Sequence, residues 1–203
     1  MADFADRFRR VSEVAERLAQ HEEIATALSQ YPEAIKSVLE FGSEAVELLA
    51  RRSGAGDNIT PWLQRIDQSP QGREILEIYS RVDNALGSTN SGTVLEGQVA
   101  LIAQENGFDV INFQKKFGPN GSLGEVDVET PTAILEMTVG SSGKLSQIRG
   151  LLTDSIRNSL SKPVILYAPN YGNTAGQDII NAGAYVVRTE QELIQLLTQL
   201  GQP

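Results

Sequence analysis

The sequence predicts an α/β protein: a mixed central sheet flanked by helices, preceded by a small all-helical unit. Three observations carry this. Through residue 86, apolar residues recur at helical spacing, with no strand-like alternation. From residue 93, helix-type and strand-type segments follow one another as α-β-β-β-α-β-α-β-α, the pattern of a sheet covered on both faces. Between them lies "GSTNSG", residues 87–92, small and polar, which marks the boundary. The expected organisation is a helical unit over 1–86, a linker over 87–92 and a sheet unit over 93–203.

Within the helical unit, Phe4, Phe8, Val11, Ala15 and Leu18 are spaced by four, three, four and three, which makes one apolar face. A second helix is expected after Pro32, with Ile35, Val38, Leu39, Val46 and Leu49 inward. "RRSGAGDNITP" reads as a loop ending in a Thr60 cap and a first-turn Pro61. Ile75, Ile78, Val82 and Leu86 define a further helix, stopped at Gly87. Trp62 and Tyr79 are expected to pack within this half, and His21 to lie at the surface or a helix cap.

In the sheet unit, "TVLEGQVALIAQENG" is a helix ending at Gly107 and "FDVINFQKKF" a strand. "GPNGS" is a turn, so Gly118, Gly121 and Gly124 join two strands rather than opening a phosphate-binding helix. "GEVDVET" and "TAILEMTV" are strands separated at Thr130-Pro131, and "PVILYAP" is an apolar strand of a sheet interior. "KLSQIRGLLTDSIRNSLSK" reads as one long helix, "NTAGQDIINAG" and "EQELIQLLTQL" as shorter ones, and "AYVVRT" as the last strand.

Composition narrows the chemistry. The chain has 203 residues, 40% hydrophobic and 21% charged, which is ordinary for a globular protein. It has no cysteine and one histidine, which removes disulfides, thiolate catalysis, Cys-ligated zinc and Ser-His-Asp or multi-His sites. There is no apolar run long enough for a membrane span, and "MADFADRFRR" has no apolar signal-peptide core. The net charge of −9 weakens any reading as a basic nucleic-acid coat. It divides evenly, with 15 acids against 10 Lys/Arg in residues 1–90 and 11 against 7 in 91–203. Any enzyme here works with carboxylates, lysines and hydroxyls.

Two apolar strands carry acids. Residues two apart on a strand share a face, so Glu125, Asp127 and Glu129 point one way and Val126 and Val128 the other. In "AILEMTV", Ile134, Glu136 and Thr138 share a side. If the two strands pair as a hairpin, Asp127 and Glu136 come side by side. Two buried, unpaired carboxylates repel and resist desolvation. A hard divalent cation such as Mg²⁺ removes the conflict and activates a phosphodiester or a water. The alternative is a hairpin with a solvated outer face, in which Glu136 needs a partner such as Arg149 or Lys116.

"LEGQ", "GEVDVET" and "AILEMT" together resemble the PD-(D/E)xK, or restriction-endonuclease-like, nucleases, over roughly residues 93–200. More narrowly, the chain is similar to the nuclease domains of contact-dependent growth inhibition and related polymorphic bacterial toxins, in which a small helical region often precedes the nuclease. The resemblance implies an α-β-β-β-α-β core and a Mg²⁺ (or Mn²⁺) held by Asp127, Glu136 and the Met137 carbonyl. Glu96 then helps to position the metal, and Gln147 sits at a helix-glutamine position near the site. The family expects lysine where this chain has Thr138; Lys144 is the candidate replacement and Lys116 a weaker one. The implied activity is endonucleolytic cleavage of RNA, tRNA above all, or of DNA. The implied setting is a secreted or surface-delivered toxin acting in the target-cell cytoplasm, neutralised by a cognate immunity protein.

Two other readings stay open at this level. One is a binding or immunity-like protein on a nuclease fold that has lost its chemistry, favoured by Thr138 and by the negative charge. The other is a DNA-repair or resolvase-type nuclease. Lys144, Arg149, Arg157 and Lys162 form either a phosphate-tracking stripe or an ordinary solvated helix face.

Overall fold

The computed structural model describes residues 2–56 and 58–201, with side chains from Ala5 onward. Contacts divide the chain into two units, Met1–Arg81 and Val82–Pro203. The division falls inside a helix, a few residues before the boundary expected from the polar stretch.

The first unit is helical: α1 (Ala2–Gln20), α2 (Glu22–Leu28), α3 (Pro32–Phe41), α4 (Ser43–Gly54), α5 (Thr60–Gln68) and the greater part of α6 (Gly72–Leu86). Its core is built on Val14, Leu28, Val38, Val46, Leu49, Leu63, Ile66 and Leu76. Trp62 and Tyr79 pack there with ring centroids 4.4 Å apart, as expected, and the Arg52 guanidinium sits 5.9 Å from the Trp62 ring. Pro32 opens α3, whose first amides, Glu33 and Ala34, donate to Asp67 Oδ1 at 2.8 and 3.2 Å. A side chain from α5 thus satisfies donors that the helix cannot.

Three expectations for this unit are corrected, the first being the Thr60 cap: Thr60 is the opening residue of α5, behind an N-cap at Ile59 that makes no side-chain cap hydrogen bond. Phe8 and Val11 are 67% and 47% exposed, and among the described side chains of α1 the buried one is Val14. Helical spacing defines a stripe; it does not say which part of that stripe a short neighbour covers. The side chain of Phe4 lies outside the described residues. The helix expected after Pro32 is two, because Gly42 adopts φ +105°, open to glycine and strained for other residues. The short α2 had no counterpart in the apolar pattern.

The second unit contains α7 (Ser91–Glu105), β1 (Asn112–Lys116), β2 (Glu125–Glu129), β3 (Ile134–Met137), α8 (Leu145–Thr153), β4 (Val164–Tyr167), α9 (Asn173–Asn181), β5 (Tyr185–Val187) and α10 (Glu190–Gly201). The element order is the one the sequence predicts. The sheet runs β1-β2-β3-β4-β5, antiparallel at β1/β2 and β2/β3 and parallel at β3/β4 and β4/β5. Helix α7 packs against β2 and β3, and α8 against β4 and α9, so helices flank a mixed sheet. Every residue of β3 and of β4 is buried, as strands covered on both faces require.

The segment expected as a linker is already anchored. Asn90 Oδ1 accepts from the amides of Gly92 and Thr93 at 2.9 and 3.1 Å and caps α7, which begins at Ser91.

The long helix expected over residues 144–162 stops at Thr153. Asp154 turns extended, at φ −84° and ψ 110°, and its Oδ1 accepts from Ile156 and Arg157 N–H at 2.8 and 2.9 Å. Arg157 Nε donates to Asp154 Oδ2 at 2.7 Å, and these contacts pull the Asp154 carboxyl down to about 2. Lys162 is buried, its Nζ 2.7 Å from Glu129 Oε1 and 2.8 Å from the Thr130 carbonyl. The four basic residues therefore form neither a phosphate-tracking stripe nor one solvated helix face.

Candidate metal centre

The acids converge. The register pairs Val128 with Leu135 and Glu129 with Ile134, so one step further sets Asp127 opposite Glu136. Opposed residues of antiparallel strands point to the same face. Across that gap Met137 N–H, on β3, donates to Asp127 Oδ2 at 3.1 Å. Asp127 is 7% and Glu136 0% exposed, which rules out a solvated hairpin face.

Glu96 arrives from α7. One carboxylate oxygen each of Glu96, Glu125 and Asp127 can be chosen so that all three lie within 4.8 Å of one another. The period-two alternation of "GEVDVET" puts Glu125 on the Asp127 face, and the family resemblance leaves it out of the ligand set. Its neighbour at i+4, Glu129, is drawn elsewhere: Asn112 Nδ2 donates to Glu129 Oε2 at 2.6 Å, and Lys162 holds the other oxygen.

Lys144 and Gln147 close the other side. Lys144 Nζ lies 3.4 Å from Glu136 Oε2 and donates to Gln147 Oε1 at 2.9 Å. Gln147 Nε2 donates to the same Glu136 oxygen. The Lys144 amide donates to the Tyr171 hydroxyl at 3.0 Å, which fixes the start of α8 beside the acids. The partner for Glu136 is thus Lys144, not Arg149 or Lys116. Lys116 is exposed on the edge strand β1, opposite Glu125.

Thr138 stands apart. It follows the last residue of β3, its N–H donates to the Tyr167 carbonyl at 3.2 Å, and its hydroxyl accepts from Gly140 N–H at 3.1 Å. It shapes the turn out of the strand and makes no hydrogen bond to the acids. Of Met137, the contact formed at the site is through its N–H.

The electrostatics are those of crowded carboxylates. Burial, reinforced by the charge of Asp127, pushes the Glu136 carboxyl up to about 8. Burial raises Asp127 as well, against the opposing pull of Lys144 and the Met137 amide. Glu96 is raised by burial against a lowering hydrogen bond from Gln114. Among the described residues, no lysine or arginine forms an ion pair with Glu96, Glu125 or Asp127, and Glu136 Oε1 is buried without a hydrogen-bond partner. A buried acceptor left unsatisfied beside the Asp127 carboxylate is what a cation would relieve. The donors are all oxygen, which suits Mg²⁺ or Mn²⁺, and contain no sulfur or imidazole of the kind zinc favours.

One residue of the site had no signal in the sequence. Gln114, in β1, has a left-handed backbone at φ +48°, and its Nε2 donates to Glu96 Oε2 at 2.7 Å. A non-glycine residue held there costs of order 1 kcal/mol.

In comparison with known proteins, no family model fits the chain, and no curated protein or solved structure is significantly similar to it. The class that fold and site define is an α/β protein whose acidic cluster suits a divalent cation.

Proposed function

We propose that this chain is a divalent-cation-dependent endonuclease with a PD-(D/E)xK-type core. The observation that carries the reading is the convergence of Glu96, Glu125 and Asp127 within 4.8 Å, with Glu136 beside Asp127 and a lysine on its far side. The α-β-β-β-α-β order of α7 to β4 supports it. So does Lys144, whose ammonium lies 3.4 Å from Glu136 Oε2 and is the candidate for the role that the family gives to a lysine at the Thr138 position.

Bound Mg²⁺ or Mn²⁺ would polarise a phosphodiester oxygen and make a bound water more acidic. Asp127, with Glu96 and Glu125, would hold that cation, and Glu136 would contribute its unpartnered oxygen. Lys144 presents a positive charge to the negative charge that develops on the phosphate. Gln147 bridges Lys144 and Glu136 and keeps both from swinging away. The Met137 amide fixes Asp127 in the same manner. Lys115 and Lys116, exposed at the sheet edge, suit phosphate contacts along the substrate.

The substrate and setting follow from the family resemblance alone. They are RNA, with tRNA ahead of DNA, cleaved by a toxin delivered to competing bacteria and blocked by an immunity protein. Among the described residues no helix is long and apolar enough to cross a membrane. The test is incubation of the protein with total tRNA and with plasmid in Mg²⁺, beside an Asp127→Ala control. Cleavage by the unsubstituted protein alone supports the reading, and identical patterns for both proteins retire it. A second reading, a binding protein on a retired nuclease site, draws on the engagement of Thr138 in a turn. It is favoured if calorimetry detects no affinity for Mg²⁺ or Mn²⁺.

A further inference from the structure

Gln114 departs from its strand. Among the described residues of β1 it alone has positive φ, at +48°, while its neighbours keep register with β2, Phe113 opposite Val128 and Lys115 opposite Val126. That register sets Gln114 across from Asp127. Glycine and asparagine tolerate this backbone better than glutamine does. Local preference is therefore overridden at one position, beside the acid cluster, and such violations gather at functional sites.

The side chain shows what the departure accomplishes. Its amide nitrogen reaches Glu96 Oε2 at 2.7 Å in a half-buried setting. Glu96 stands on α7, whereas Glu125 and Asp127 stand on β2, so the helix acid needs a tie to the sheet if the three are to keep one geometry. Glycine would accept the backbone and lack the amide. Asparagine would accept the backbone and fall one methylene short.

We propose that Gln114 is a positioning residue: its left-handed backbone aims the side-chain amide at Glu96 and fixes that carboxylate against Glu125 and Asp127 as a cation ligand. This rests on reading the cluster as a metal centre. Partners that orient a metal ligand typically change affinity by about 10–100-fold when removed.

The experiment is Mn²⁺ titration calorimetry on the full chain, unsubstituted and as Gln114→Asn, Gln114→Gly and Asp127→Asn, with thermal melting of each in chelator. Gln114→Asn is expected to melt within about 2 °C of the unsubstituted protein and to bind Mn²⁺ about tenfold more weakly or worse, with Gln114→Gly equally weak. Asp127→Asn is expected to lose binding. Affinity within twofold of the unsubstituted protein for Gln114→Asn, with binding lost in Asp127→Asn, overturns the positioning role and leaves the metal centre standing. A Gln114→Asn protein that melts far lower makes Gln114 a fold residue and overturns the role too. No Mn²⁺ binding by the unsubstituted protein removes the metal centre and the role together.

Discussion

Lys144 Nζ lies 3.4 Å from Glu136 Oε2, although the two residues are separated by a turn and the start of a helix. Glu136 is fully buried, and among the described residues Lys144 is the cation that pairs with it. Lys144→Ala is expected to lower cleavage about 100-fold or more while leaving Mn²⁺ affinity within a few-fold of the original. Single-turnover rates beside calorimetry separate the two effects. A cleavage rate unchanged by the substitution removes Lys144 from the chemistry.

The position of Thr138 offers a complementary test. It lies two residues after Glu136, where a lysine side chain would extend from the end of the same strand. In a Lys144→Ala background, Thr138→Lys is expected to restore cleavage about tenfold. If the double variant is as inactive as Lys144→Ala, the two positions do not serve one role.

Stability should depend on pH and on metal. Glu136 has its ordinary value of 4.5 in the unfolded chain and about 8 in the fold, and Glu96 and Asp127 are displaced upward as well. The folded state therefore binds protons more tightly than the unfolded one. The stability that Glu136 contributes is fully present below pH 4.5 and is lost as pH rises through about 8. In chelator the melting temperature is expected to drop by at least about 3 °C between pH 5.5 and 8.5, and millimolar Mg²⁺ to recover most of it at the higher pH. Glu136→Gln should flatten the chelator profile; a variant slope equal to the original excludes Glu136 as the source.

The pair Lys162–Glu129 is structural and outside the site. Lys162 Nζ contacts Glu129 Oε1 and the Thr130 carbonyl in a largely buried setting. Lys162→Met strands a carboxylate and is expected to cost about 3 kcal/mol, with much of it recovered by adding Glu129→Gln. Denaturant unfolding of the two single variants and the double variant measures the coupling.

The sheet unit was legible because "GEVDVET" alternates with a period of two, while "AILEMTV" and "PVILYAP" are short apolar runs of the kind a covered sheet requires. Strand geometry placed Glu125, Asp127 and Glu136, and the element order followed from where such segments give way to a helical period. Lys144 and Gln147 were also within reach, through family resemblance and their place on the next helix. Glu125 joins the cluster on the face that the alternation gives it, although the family resemblance leaves it out of the ligand set. Gln114 was out of reach, since the φ of one residue in a strand leaves no trace in hydropathy. The basic stripe failed at Asp154, whose short side chain captures the amides of Ile156 and Arg157 and ends the helix. The apolar stripe of α1 failed for another reason: Phe8 and Val11 fit the period, but burial needs a neighbour over them as well.

A cation held by acids from α7 and β2 is the centre of the proposed activity. Crystals of the protein grown with Mn²⁺ and measured near the manganese absorption edge test it most directly. The expected result is an anomalous peak in contact with carboxylate oxygens of Glu96, Glu125 and Asp127. A well-ordered site without such a peak, or manganese bound only elsewhere on the chain, would contradict it.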